Sequence, residues 1–316
     1  MAVKMQSTRA GFGEGVLALA ERREDLMVTS ADTFRSFALG TFASRYSERY
    51  LEFGIAEQHM LTASAALASE GKLVFSVGYS PFLSMRGLEQ IRTFAAYPRL
   101  NVKVAAGLSG LSGDTDGVTH QGTEDIAIVR SIPNVSLICP ADAVAAKASV
   151  EIAAETDGPV YLRLGRGATP VFYPEDQEFV FGKGIWAETL GEDIAIIACG
   201  PCVYEAIQAA RMLRERGIGA RVLDMHTIKP IDEGAILAAA ECGRILTVED
   251  GTIYGGLGGA VAEVLIEHGC RLKAFKRLGM TTFGTAGSLP ELLRFFGVDA
   301  GGIAAAAEEM VSAKGR

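Results

Sequence analysis

The feature that most constrains this chain is a rhythm. Short apolar runs rich in β-branched residues alternate with longer Ala-rich stretches of helical period, twice over, with a break between. In the first unit "DLMVTSAD", "KLVFSVGY", "NVKVAAGL", "VSLICP" and "PVYLRLG" read as strands. Between them lie a helix predicted over Leu51 to Glu70 and closed by Gly71, "SPFLSMRGLEQIRTFAAY" with Pro81 at its start, a helix ending at Arg130, and "ADAVAAKASVEIAAE". Strands joined through helices imply a parallel sheet covered on both faces, an α/β fold. The segment "RGATPVFYPEDQEFVFGKGIWAETLGED", with two prolines and no helical period, reads as a linker carrying a small β element. The alternation then resumes: "IAIIAC", helix 203–216, "ARVLDM", helix 232–241, "RILTVED", helix 258–268 and "RLKAFKRLG". The predicted organisation is a first domain over 1–170, a linker over 171–191 and a smaller α/β domain over 192–316.

A length of 316 residues suffices for two such cores. The net charge of −8 argues against nucleic acid or an anionic membrane as the main partner. No apolar run approaches the roughly 20 residues a membrane helix needs. The opening "MAVKMQSTRAGFGEG" has no apolar signal core, so the expected location is cytoplasmic. Five cysteines in a chain of that kind do not suggest a disulfide framework. Cys199 and Cys202, in "CGPC", are either a redox pair or a tight strand-to-helix turn with Gly200 and Pro201 serving the backbone; no redox-domain flanks favour the first. "YGGLGGAVAEV" has Val261 where a dinucleotide fingerprint needs its third glycine, and reads as a close-packed turn. "GFGEG" near the start reads as a flexible lead-in.

Glu57 is the most expensive residue in the first unit. At helical spacing it shares a face with Met60, Leu61, Ser64 and Ala68, and no Lys or Arg lies three or four positions away. A carboxylate in that setting needs a hydrogen-bond partner. Ligands of open parallel sheets bind beyond the carboxyl ends of the strands. Asp32, Tyr79, Phe82 and the loop holding Asp116 and His120 all fall there. The ordinary reading of Asp32 is a helix cap or turn residue, and that of Phe82 is core packing. The loop around His120 is too polar for a core histidine. Arg163 and Arg166, in "YLRLGRGATP", are placed to grip a phosphate or carboxylate by forked hydrogen bonds, or to form a solvated pair.

In their order, "ERYLEFGIAEQHM", "GYSPFL", "GDTDGVTHQGTED" and "GPVYLRLGRG" resemble the pyrimidine-binding domain of transketolase-like thiamine diphosphate enzymes. "LDMHTIKPID" and "VEDGTIYGGLGG" resemble the transketolase C-terminal domain, so the resemblance covers nearly the whole chain. It implies that Glu57 binds a ring nitrogen of the cofactor's aminopyrimidine. As a neutral acid, which apolar surroundings favour, it would stabilise the imino tautomer that generates the thiazolium ylide. The cofactor is the electron sink. By the same resemblance Phe82 stacks on the aminopyrimidine with Tyr79 beside it, and Asp32 lies close to the thiazolium. Asp116 and His120 would hold the hydroxyls and carbonyl end of a ketose. Arg166 would grip the sugar phosphate, supported by Arg163.

Two departures shape the functional expectation. Leu108 stands at or next to a position where transketolases carry histidine and deoxyxylulose phosphate synthases arginine. The family also holds the diphosphate through Mg or Ca, using a GDG motif and an asparagine roughly 30 residues on. Neither Asn101 nor Asn134 follows such a motif, and the extra domain of about 250–300 residues that carries it is missing. The expectation is therefore a two-chain transketolase small subunit, active only with a diphosphate-binding partner of about 280 residues in a heterotetramer. The metal and diphosphate ligands would come from that partner, and none from this chain. The reaction would move a two-carbon ketol unit from a ketose to an aldose through a dihydroxyethyl-thiamine intermediate. The alternatives are the beta subunit of a 2-oxo-acid dehydrogenase, a deoxyxylulose phosphate synthase-like fragment, and a non-catalytic scaffold half-enzyme.

Overall fold

A computed structural model describes residues 4–313. Its first sheet has seven strands. In spatial order they are Thr227–Lys229, Ser136–Ile138, Val160–Arg163, Val102–Gly107, Leu73–Tyr79, Leu26–Ser30 and Tyr50–Glu52. Six run parallel, and the edge strand Thr227–Lys229, which comes from the second half of the chain, pairs antiparallel with Ser136–Ile138. The second sheet has five strands in the order Ala274–Met280, Arg244–Thr252, Ile194–Ala198, Ala220–Asp224 and Ile185–Thr189. Its antiparallel edge, Ile185–Thr189, lies within the stretch expected to be a linker. The central strands read as unbroken apolar runs because helices cover both faces, leaving no solvent side to alternate toward.

Three local expectations need correction. The Ala-rich helix does not begin at Leu51. Tyr50–Glu52 is an edge strand, and the helix runs Glu57–Ser69, with Glu57 in its first turn, where the helix dipole favours an acid. The "GFGEG" segment is no flexible lead-in: it lies inside the helix Thr8–Ala20. A Cβ on Gly11 would sit 2.8 and 2.9 Å from the backbone C and Cα of Ala143, so the glycine permits close packing on the helix Ala143–Glu155. The segment after Pro81 is a broken helix. Its turns at Phe82–Arg86 and Ile91–Ala96 are widened to i→i+5 bonding, as in Gly87 N–H to the Phe82 carbonyl at 2.9 Å.

The two halves meet over buried polar contacts. Asp142 Oδ2 accepts from the backbone N–H groups of Phe172 and Tyr173, each at 3.0 Å, and the Tyr173 hydroxyl donates to Asp224 Oδ2 at 2.8 Å. Burial pushes the Asp224 carboxyl up to about 8, so it is largely protonated at neutral pH. At the "YGGLGGAVAEV" turn, Glu249 accepts from the N–H groups of Leu257 and Gly258, both at 2.9 Å. A side chain of the protein thus occupies the helix N-terminus where a dinucleotide would place its phosphate. Cys199 and Cys202 are both fully buried. A hydrogen bond to Cys139, then burial, raises the Cys199 thiol, and burial raises that of Cys202. Thiols held protonated are poor redox nucleophiles, so the turn reading of "CGPC" accounts for them.

Candidate functional site

Four neighbouring parallel strands, Leu26–Ser30, Leu73–Tyr79, Val102–Gly107 and Val160–Arg163, end on one side of the first sheet. The segments that follow them carry Asp32, Phe82, the 109–122 loop and Arg166. The sheet order therefore gathers residues that lie far apart in sequence.

The centre of the group is aromatic. The rings of Phe82 and His120 meet edge-on at 5.3 Å between centroids, and Tyr79 lies 6.4 Å from Phe82 and 6.2 Å from His120. Thr119 Oγ1 lies 3.0 Å from His120 Nδ1, within hydrogen-bond distance. The Tyr79 hydroxyl is 3.3 Å from Ser36 Oγ. Phe82, Tyr79 and His120 each keep partial exposure, as side chains that meet a ligand must.

Glu57 flanks this cluster and is only 3% exposed. Its surroundings are apolar, as the face with Met60 and Leu61 implies, but it is not unpaired. Arg86, 29 positions away, donates from Nη1 to Glu57 Oε2 at 2.8 Å. The same guanidinium lies 4.7 Å from the centroid of the Phe82 ring. Helical spacing could not reveal this partner, because it arrives from another element.

Arg166 pairs with Asp116, and its hydrogen bond holds the Asp116 carboxyl below the usual carboxylate range. Arg9, absent from the residues the sequence motifs singled out, is the most informative addition. It is 8% exposed, has no ion pair among the described residues, and its Nε is buried without a partner. Its one side-chain hydrogen bond among the described residues runs from Nη2 to the Arg166 carbonyl at 3.2 Å. Burial lowers its pKa, partly offset by Tyr79, Asp114 and Asp116. A buried cation beside a second arginine, with no ion pair among the described residues, has donors that can hold an anion. The only signal in the sequence was an arginine among small residues in a helix.

Asp32 sits just past its strand, exposed, at a φ of 55° that non-glycine residues seldom adopt. Its backbone N–H donates to Glu52 Oε1 at 2.7 Å, and its side chain makes no hydrogen bond with the rest of the group among the described residues. Leu108 is buried. Arg163 does not join the site. It is 3% exposed and bridges Asp125, at 2.9 Å, and Asp250, at 2.6 Å. The guanidinium is shared between two buried carboxylates and links the two units, while its Nη2 is buried without a partner among the described residues. Asp250 belongs to the second unit. Gly110, at φ 58°, clears it: a Cβ there would run into the Asp250 carboxylate.

Among the described residues no three His, Cys, Asp or Glu side chains are grouped to hold a metal ion. A buried carboxylate beside a half-buried aromatic cluster fits a flat heterocycle with a ring nitrogen to be hydrogen-bonded.

Fold and site together define a pyrimidine-binding α/β unit joined to a second α/β unit. Residues 4–171 match the family model "Transketolase, pyrimidine binding domain", and residues 183–303 match "Transketolase, C-terminal domain". The chain belongs to the transketolase family. It is 40% identical over 98% of its length to a subunit of the apulose-4-phosphate transketolase of Phocaeicola vulgatus, covering 99% of that protein. It is 35% identical over 95% of its length to the 6-deoxy-6-sulfo-D-fructose transketolase subunit SqwH of a Clostridium species, covering 92% of it. A solved structure described as a split gene transketolase, inactive beta4 tetramer, superposes with a TM-score of 0.87 at 36% identity, covering 97% of this chain and 98% of that one.

Proposed function

We propose that this chain is the small subunit of a two-chain transketolase that carries a two-carbon ketol unit from a ketose to an aldose. The observation that carries the reading is the buried Glu57 carboxylate set beside the Phe82–Tyr79–His120 cluster, with two arginines beyond. Relatives of nearly the same length described as transketolase subunits support a separate chain for the diphosphate- and metal-binding half. In this reading that partner of about 280 residues supplies the ligands of Mg or Ca, and the two chains form a heterotetramer. Among the described residues no helix is long and apolar enough to cross a membrane, which is compatible with a cytoplasmic enzyme.

Thiamine diphosphate, when bound, supplies the carbanion-stabilising chemistry. This chain's residues hold and position it. Glu57 would hydrogen-bond a ring nitrogen of the aminopyrimidine, Phe82 would stack on that ring with Tyr79 beside it, and Asp32 would approach the thiazolium. His120 and Asp116 would orient the ketose through its carbonyl end and hydroxyls. Arg9 and Arg166 would clamp an anionic terminus. The names of the two subunit relatives include a phosphate and a sulfo group, which supports an anionic substrate. Leu108, lying where a cation is expected, leaves that charge to the two arginines.

The test is hydrogen exchange at the thiazolium carbon, measured by NMR in the complex with a co-expressed partner. Glu57→Ala should abolish the enzyme's acceleration of exchange. Exchange at the wild-type rate in that variant would remove Glu57 from its assigned role.

A further inference from the structure

The contacts of Arg86 have no place in the function proposed above, and they conflict with it. One guanidinium donates to Glu57 Oε2 at 2.8 Å while lying 4.7 Å from the centre of the Phe82 ring. A heterocycle that hydrogen-bonds Glu57 and stacks on Phe82 would compete with this guanidinium for both groups. We propose that Arg86 is a placeholder that closes the aminopyrimidine seat in the free chain and must swing out before the ring can enter. The proposal rests on the assignment of that seat to Glu57 and Phe82.

The placement of Arg86 suits such a role. Glu57 is 3% exposed and fixed in the first turn of its helix, whereas the Arg86 side chain is 49% exposed. The long side chain can therefore leave toward solvent while the carboxylate stays. Arg86 closes the widened turn Phe82–Arg86, so it rises from the same turn as the ring it covers. A planar guanidinium also mimics the heterocycle, since it stacks on an aromatic face and offers an N–H to a carboxylate. In the free chain it spares Glu57 the cost of burial without a partner. Its removal opposes ring binding until some other group engages the arginine, which would couple cofactor uptake to assembly with the partner subunit.

The experiment uses the full chain without a partner and, as probe, the aminopyrimidine half of thiamine as its free alcohol, titrated by calorimetry. Arg86→Ala should bind the probe about tenfold more tightly than wild type, a difference near 1.4 kcal/mol. Arg86→Gln, which can reach one of the two contacts at most, should also bind more tightly and covers the case in which the alanine variant misfolds. Binding equal to or weaker than wild type in both variants would overturn the placeholder. The seat itself is read separately from Phe82→Ala. If this change weakens the probe in the wild-type background while the Arg86 variants gain nothing, the seat stands and the placeholder falls. If Phe82→Ala leaves the gain of Arg86→Ala intact, the ring does not lie on Phe82 and the seat is misassigned. No binding by any variant would overturn both.

Discussion

Arg163 and Asp250 stand 87 positions apart, on different sheets, and are joined by a 2.6 Å ion pair from which water is almost excluded. Arg163 ends a strand of the first sheet, Asp250 lies in Arg244–Thr252 of the second, and Asp125 completes the bridge. The 109–122 loop passes this link at Gly110, where a Cβ would meet the Asp250 carboxylate.

Removing one member of a buried charge pair leaves its partner uncompensated, which costs about 3–5 kcal/mol. Asp250→Ala should therefore lower the unfolding free energy by that order in urea denaturation. An unchanged midpoint would mean that Asp125 alone satisfies Arg163.

Gly11→Ala pits two effects against each other. Alanine adds about 0.5–1 kcal/mol of helix preference over glycine. Against that, its methyl would press on the backbone of Ala143, where overpacking costs about 1–3 kcal/mol. The backbone contact should win, and the variant should melt below wild type by scanning calorimetry.

Asp224 makes stability depend on pH in a defined window. Its folded value, about 8, lies above its ordinary 3.8, so between these limits the folded chain binds the extra proton. Stability is then greatest below about 4, falls as pH rises, and has lost this contribution once pH passes about 8. Asp224→Asn keeps an acceptor for the Tyr173 hydroxyl but cannot ionise. Unfolding free energies from urea titrations between pH 5 and 9 should fall less steeply in the variant, by roughly 4 kcal/mol over the range. Parallel curves would show that Asp224 titrates normally.

The two ends of the proposed substrate site should separate kinetically in the complex with a partner subunit. Arg9→Met should raise KM for an anionic sugar about 10- to 100-fold with a smaller effect on kcat, because it removes a charged hydrogen-bonding group from one end of the substrate. His120→Ala should depress ketose turnover and leave cofactor affinity largely intact. A collapse of cofactor affinity would instead place His120 against the cofactor.

Much of the fold was legible because its determinants are short-range. Apolar runs, Ala-rich helical periods and glycine turns located the alternation of elements, and the order of motifs singled out Glu57, Phe82, Asp116 and His120 as candidates. The start of the helix was misread because Leu51 continues the apolar pattern, and nothing in that pattern separates an edge strand from a helical turn. "GFGEG" was misread because glycine disfavours an isolated helix, while the neighbouring helix that demands glycine is contributed by residues more than a hundred positions later.

The chain's own sequence determined the α/β alternation, the two-unit order and the presence of a costly carboxylate at Glu57, since all of these follow from residue type and local spacing. Only the tertiary structure decided what that carboxylate touches, that Arg163 bridges Asp125 and Asp250, and that Arg9 is a buried cation with no ion pair among the described residues. Each depends on which strand ends become neighbours, and that is set by the sheet order. Charge pairing acts across a few ångströms of space, whatever the separation along the chain.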